Sequence, residues 1–156
     1  MKSFKTYFLV ILCVYLLPII SAAQVEEVMK VEATIKNLFK GMYEGDSSLV
    51  HSAFSDDVRM FTTMITPENK EVLRSGSLEG FLKAVGTPHE KVWNEVISNL
   101  RIDIDQGLAH AWMNYSFYRG DTFSHCGVNA MQLVRIEGQW KIIHLIDTRK
   151  SADCED

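Results

Sequence analysis

FSHCGVNAMQLVRIEGQWKIIHLIDTR, residues Phe123 to Arg149, reads as two long strands joined by a turn. Alternation assigns Phe123 to Ile136 and Trp140 to Arg149 to strands, with Glu137-Gly138-Gln139 between them. A three-residue loop sets Ile136 opposite Trp140, Asp147 opposite Asn129 and Arg149 opposite Gly127. His125, Asn129 and Asp147 then converge on one face, above an apolar floor of Met131, Leu133, Ile143 and Leu145. A two-residue loop slips the register by one and moves the whole set. Apolar-to-apolar pairing along both faces favours the longer loop. Adjacent strand residues point to opposite faces, so His125 and Cys126 do not form a nucleophile pair unless a bulge at Gly127 turns one of them.

Upstream the period is helical. Gln24 to Glu44 carries Val28, Val31, Ile35, Leu38, Phe39 and Met42 at three- and four-residue steps, ended by Gly45. Asp46 or Ser47 caps a short second helix, and Val58 to Met64 reads as a first strand. Thr66 to Ser75 is loop or a second short strand, and Ser77 caps a third helix over Leu78 to Val85. Trp93 to Asp105 alternates with Val96, Ser98, Leu100, Ile102 and Ile104 on one face, and Ala109 to Arg119 is a further long strand. Helices first and a meander of antiparallel strands afterwards mean an α+β fold, with helices on one face of a curved sheet.

An N-terminal helix pair, the Phe54-Ser55-Asp56-Asp57-Val58 lead into the first strand, a short third helix and a final hairpin containing G-x-W-K-I-I-H resemble the NTF2-like superfamily. Within it the chain is most similar to the SnoaL-like and lumazine-binding groups. The resemblance implies a cone-shaped sheet wrapped around its helices, with a pocket at the wide end. The superfamily holds isomerases, cyclases and dehydratases beside noncatalytic binding and dimerising domains, so fold does not choose the function.

Polar groups over an apolar floor suit a small-molecule pocket. Three readings stand: a binding domain for a small, largely apolar or aromatic ligand; an acid–base enzyme using Asp147 and His125; and a dimeric interaction module with a vestigial pocket. Asn129, Tyr115, Met113 and Phe117 are candidate ligand contacts, and Tyr43 is placed at the pocket rim. On Ala109 to Arg119, one face carries Ala109, Ala111, Met113, Tyr115 and Phe117, and the other His110, Trp112 and Tyr118. With the first set inward, Trp112 and Tyr118 offer an outer homodimer surface of the kind the superfamily uses; the reverse assignment stays open. His144 matches a position in the superfamily's final strand.

Lys2 and Lys5, the apolar run Phe8 to Leu17 and Ser21-Ala22-Ala23 form the pattern of a secretory signal peptide over residues 1–23. The expected organisation is then an NTF2-like domain over 24–150 and a tail over 151–156, exported to periplasm or exterior. Cleavage takes the formal net charge from −4 to −6. An acidic chain without a basic run is not expected to bind nucleic acid, or a membrane once the leader is gone. Cys126 and Cys154 remain; a tail that turns back beyond Lys150 would bring them within disulfide reach, and the alternative is a buried free Cys126 with an unbonded thiol in a disordered tail. The histidines lack metal-ligand spacing, and no Gly-rich phosphate loop or nucleophile elbow occurs. Neither a metal nor a cofactor is expected.

Overall fold

A computed structural model describes residues 22–152 and Cys154; the expected leader lies almost wholly outside them. The elements are α1 (Ala22–Glu44), α2 (Ser47–Ala53), β1 (Phe54–Ile65), β2 (Glu71–Gly76), α3 (Leu78–Gly86), β3 (Trp93–Asp105), β4 (Leu108–Arg119), β5 (Thr122–Ile136) and β6 (Gln139–Arg149). Asp46 caps α2 by accepting from the Leu49 N–H at 2.9 Å, and Ser77 caps α3 by accepting from the Gly80 N–H at 3.1 Å. Gly45, at φ +69°, supplies the left-handed residue that ends α1.

The sheet runs β2-β1-β6-β5-β4-β3. β3 to β6 form the expected antiparallel meander, and β1 lies parallel to β6. The closing hairpin therefore occupies the middle of the sheet. The core forms where Val31, Ile35 and Leu38 of α1, spaced four and three residues apart, meet the inner sheet face at Ala109, Ala111, Met113, Met131, Leu133 and Ile142, all fully buried or nearly so. A side-chain latch fixes the helix on the sheet: Trp140 Nε1–H donates to Glu27 Oε2 at 2.9 Å, and Arg135 pairs with the same oxygen at 3.1 Å.

The hairpin turn differs from the expected one. Ile136 pairs with Gln139, so the loop is the two residues Glu137-Gly138, both at positive φ as a type I′ turn requires. The register nevertheless returns to Asn129 opposite Asp147, because Ile143 is inserted as a bulge between the Gln132–His144 and Leu133–Ile142 pairs. The floor is accordingly corrected. Trp140 and Ile142 are buried with Met131 and Leu133, and Ile143 takes no place among them. His144 lies beyond the bulge, tilted against Phe61 with ring centroids 5.7 Å apart, on the face opposite Trp140 and Ile142.

A second bulge corrects β3. The β3–β4 register shifts between Ser98 and Arg101, and Asn99 sits there at φ +53°. Leu100, Ile102 and Ile104 face inward as expected, but Val96 and Ser98 are exposed. The inward residues before the bulge are instead Trp93, Glu95 and Ile97. A third irregularity, at Ser124 in β5, stands in place of any bulge at Gly127. Gly127 itself is required by close approach, since a Cβ there would overlap the Thr148 carbonyl.

Candidate functional site

A hollow of about 440 Å³ lies between the helices and the inner sheet face. Leu38, Phe39 and Met42 of α1 and Phe81 and Ala84 of α3 supply its helical side. Arg119, Arg149, Ser77 and Gly80 line it yet are solvent-exposed, and so mark its open side. Aromatic rings run along the sheet wall. Trp93 meets Phe117 edge-on at 6.0 Å, Phe117 lies 5.0 Å from His125, and His125 meets Tyr115 edge-on at 5.7 Å. His89 stacks on Trp93 at 4.1 Å and continues the run outward.

Deeper in the hollow the polar groups are held by one another. Asp147 is buried; Thr62 Oγ1 donates to its Oδ1 at 2.5 Å, and Arg149 lies 3.5 Å from its Oδ2. The Tyr115 hydroxyl has one proton and two acceptors, Asp147 Oδ2 at 3.1 Å and the Thr148 carbonyl at 2.9 Å, so its bond is shared between them. Asn129, also buried, donates through Nδ2 to Glu95 Oε1 at 2.8 Å. No buried side-chain nitrogen or oxygen of the described residues lacks a partner.

Burial pushes the Glu95 carboxyl up to about 7; the Asn129 amide opposes this and the nearby Asp147 charge adds to it. Burial, reinforced by the positive charges of Arg149 and Arg119, pushes His125 down to about 4. Its imidazole is therefore neutral at pH 7, with Nδ1 3.0 Å from Ser124 Oγ. Burial, with Asp147 and Glu95 close by, also raises Tyr115 above the usual phenol range. Among these groups, Glu95 has the proton affinity suited to moving a proton near neutral pH.

His125, Asn129, Asp147, Tyr115 and Phe117 all line the hollow. His125 and Asp147 share the space without a hydrogen bond between them, each having its own partners. Met113 is fully buried in the core beneath, and Tyr43 is more than half exposed; neither lines the hollow. Cys126, on the opposite side of β5, forms a disulfide with Cys154 across a Cα separation of 5.9 Å. Glu95 was not expected at the site. The available signal was Asn99, four residues on, because asparagine tolerates the left-handed backbone found there.

The helices, the curved open sheet and the hollow between them define an NTF2-like domain. Residues 26–145 match the model of the family described as "Putative lumazine-binding", and the chain belongs to that family. Among solved structures it is similar to an NTF2-like protein of unknown function from Shewanella baltica, at 20% identity over 82% of this chain and 97% of that one, with a TM-score of 0.64. It is similar also to two structures from Novosphingobium aromaticivorans. One is described as a "Putative Scytalone Dehydratase" (16% identity, 85% and 90% coverage, TM-score 0.63). The other is the beta subunit of a "putative aromatic-ring-hydroxylating dioxygenase" (10% identity, 85% and 94% coverage, TM-score 0.67). At these identities the likeness is one of fold. No curated protein matches the chain.

Proposed function

We propose that this domain binds a small, largely apolar or aromatic molecule in the hollow between its helices and sheet. The observation that carries the reading is the ring-lined wall, from Trp93 through Phe117 and His125 to Tyr115, ending at the Glu95–Asn129 and Asp147 groups. Rings favour a planar apolar guest, and a few convergent polar groups fix its orientation. The family's description and the dehydratase-named structural neighbour fit a ring-bearing ligand. Native mass spectrometry of the protein isolated from its own host tests this. A retained mass of a small organic molecule, absent from Ala84→Trp in which an indole fills the hollow, is expected. Equal spectra for the two proteins would oppose the reading.

A second reading is favoured by one feature, a Glu95 carboxyl held near neutral inside an aromatic-lined hollow. As a carboxylate it would take a proton from an acidic C–H of the ligand and return it to a different carbon, as in an isomerisation. In deuterated water the native chain would then exchange that C–H for deuterium, and Glu95→Gln would not. Asp147, with Thr62 and Tyr115 upon it, would position the reacting group.

Export and dimerisation belong to the same proposal. The leader pattern and the Cys126–Cys154 bond both suit an oxidising compartment. Amino-terminal sequencing of the mature protein is expected to start near Gln24, and an intact amino terminus would contradict export. Trp112, exposed, and Tyr118, partly so, stand on the outer face of β4 as a candidate homodimer surface. Light scattering should give twice the chain mass, falling to one in Trp112→Glu.

A further inference from the structure

We propose that the ligand of this hollow is an aromatic anion, its rings lying along the Trp93–Phe117 wall and its negative group at the open side against Arg119. This rests on the binding reading above and specifies its chemistry. Four acidic or basic side chains line the hollow: Glu95, Asp147, Arg119 and Arg149. They are not evenly matched. Arg149 is paired with Asp147 at 3.5 Å, and Glu95 is bonded to the buried Asn129. Arg119 ends β4, is exposed, and has no ion-pair partner among the described residues. The hollow thus carries its carboxyl groups among buried residues and its guanidiniums at the open side, where Arg119 stands outside any ion pair among the described residues.

Arg119 also sits at the outer start of the ring wall, opposite Trp93. It follows Phe117 by two residues on β4 and so lines the same face of the sheet. Its positive charge reaches His125, the next ring along the wall, and Arg149 acts on the same imidazole. Both guanidiniums stand at the open side of the wall, and Arg119, opposite Trp93 in the β3–β4 register, marks its Trp93 end. A guanidinium presents a planar fork of donors that matches a carboxylate, sulfonate or phosphate. An anionic group placed deeper would meet Glu95 and Asp147, so an anionic guest is held in one orientation, ring inward and charge outward.

Two fluorescent probes with a common skeleton test the proposal: 1-anilinonaphthalene-8-sulfonate, an aromatic anion, and N-phenyl-1-naphthylamine, its uncharged counterpart. In Arg119→Gln/Arg149→Gln the dissociation constant of the sulfonate should rise about tenfold while that of the neutral probe stays within about twofold. Arg119→Gln alone breaks no ion pair and should show about a threefold loss for the sulfonate. In the wild type, added sodium chloride should weaken the sulfonate selectively. Equal responses of the two probes to substitution and salt would overturn the anion assignment while leaving the binding reading intact. If neither probe binds, or if Ala84→Trp binds both as the native chain does, the binding reading itself fails.

Discussion

Glu95 and His125 shift in opposite directions, so the pH dependence of stability is a test at the level of single residues. Glu95 is raised from 4.5 to about 7 in the fold. Between those values the folded chain keeps a proton that the unfolded chain has released. The stabilisation is complete below about pH 4.5 and is lost as pH rises through 7. His125 is lowered from 6.5 to about 4, so its contribution is lost as pH falls from 6.5 toward 4. The two slopes oppose each other across the interval they share. Glu95→Gln removes one of them and keeps an oxygen for Asn129 Nδ2. Relative to the native chain, the variant should gain stability from pH 5 to about 7 and level off above it, by about 2–3 kcal/mol in all, in urea titrations at each pH. A pH-independent difference would place Glu95 in solvent. Asn129, Asp147, Tyr115, Phe117 and His125 were legible as lining residues because strand alternation assigns them to one face. Glu95 was not, because alternation carried back from Ile104 assigns it to the wrong face.

That misassignment belongs to the scale of the strand. One extra residue at Asn99 reverses the faces of β3 on its two sides, and one at Ile143 does the same in β6. Period-2 reasoning is sound on either side of such a residue and fails across it. In β6 two departures offset each other. The loop is one residue shorter than expected, the bulge restores that residue, and Asp147 arrives opposite Asn129. Asn99 adopts its left-handed backbone at a cost that a β-branched residue would feel far more. Asn99→Val should lower stability by about 1–2 kcal/mol, while Asn99→Gly should leave it unchanged or slightly raised. If valine were harmless there, the bulge would not be the device that turns Glu95 inward. The helices were read more nearly to their ends because their signals are local: Asp46 and Ser77 cap, Gly45 terminates, and the apolar stripe of α1 follows one period throughout.

For the whole molecule, the order of helices and strands was enough to give the α+β architecture, and the G-x-W-K-I-I-H hairpin tied it to the NTF2-like fold. Parallel pairing of β1 with β6 was not legible, since nothing local reports which distant strand a first strand joins. The disulfide was foreseen as geometrically open, and the structure closes it. Cys126 is buried in β5, and the Cys126–Lys150 bridge carries the β5–β6 ladder on toward Cys154. Joining residues 28 apart stabilises chiefly by constraining the unfolded chain, so Cys154→Ser should cost about 2–4 kcal/mol. Thermal unfolding with and without reductant should show that loss in the native chain and none in the variant. The central claim concerns the hollow, and protein-observed NMR with a set of uncharged and anionic aromatic fragments tests it most directly. We expect shifts concentrated on the Trp93 indole, Phe117, Tyr115 and the Glu95 carboxyl, with Trp112 on the outer sheet unmoved. Shifts confined to Trp112 and Tyr118, or none at any fragment concentration reached, would contradict the account.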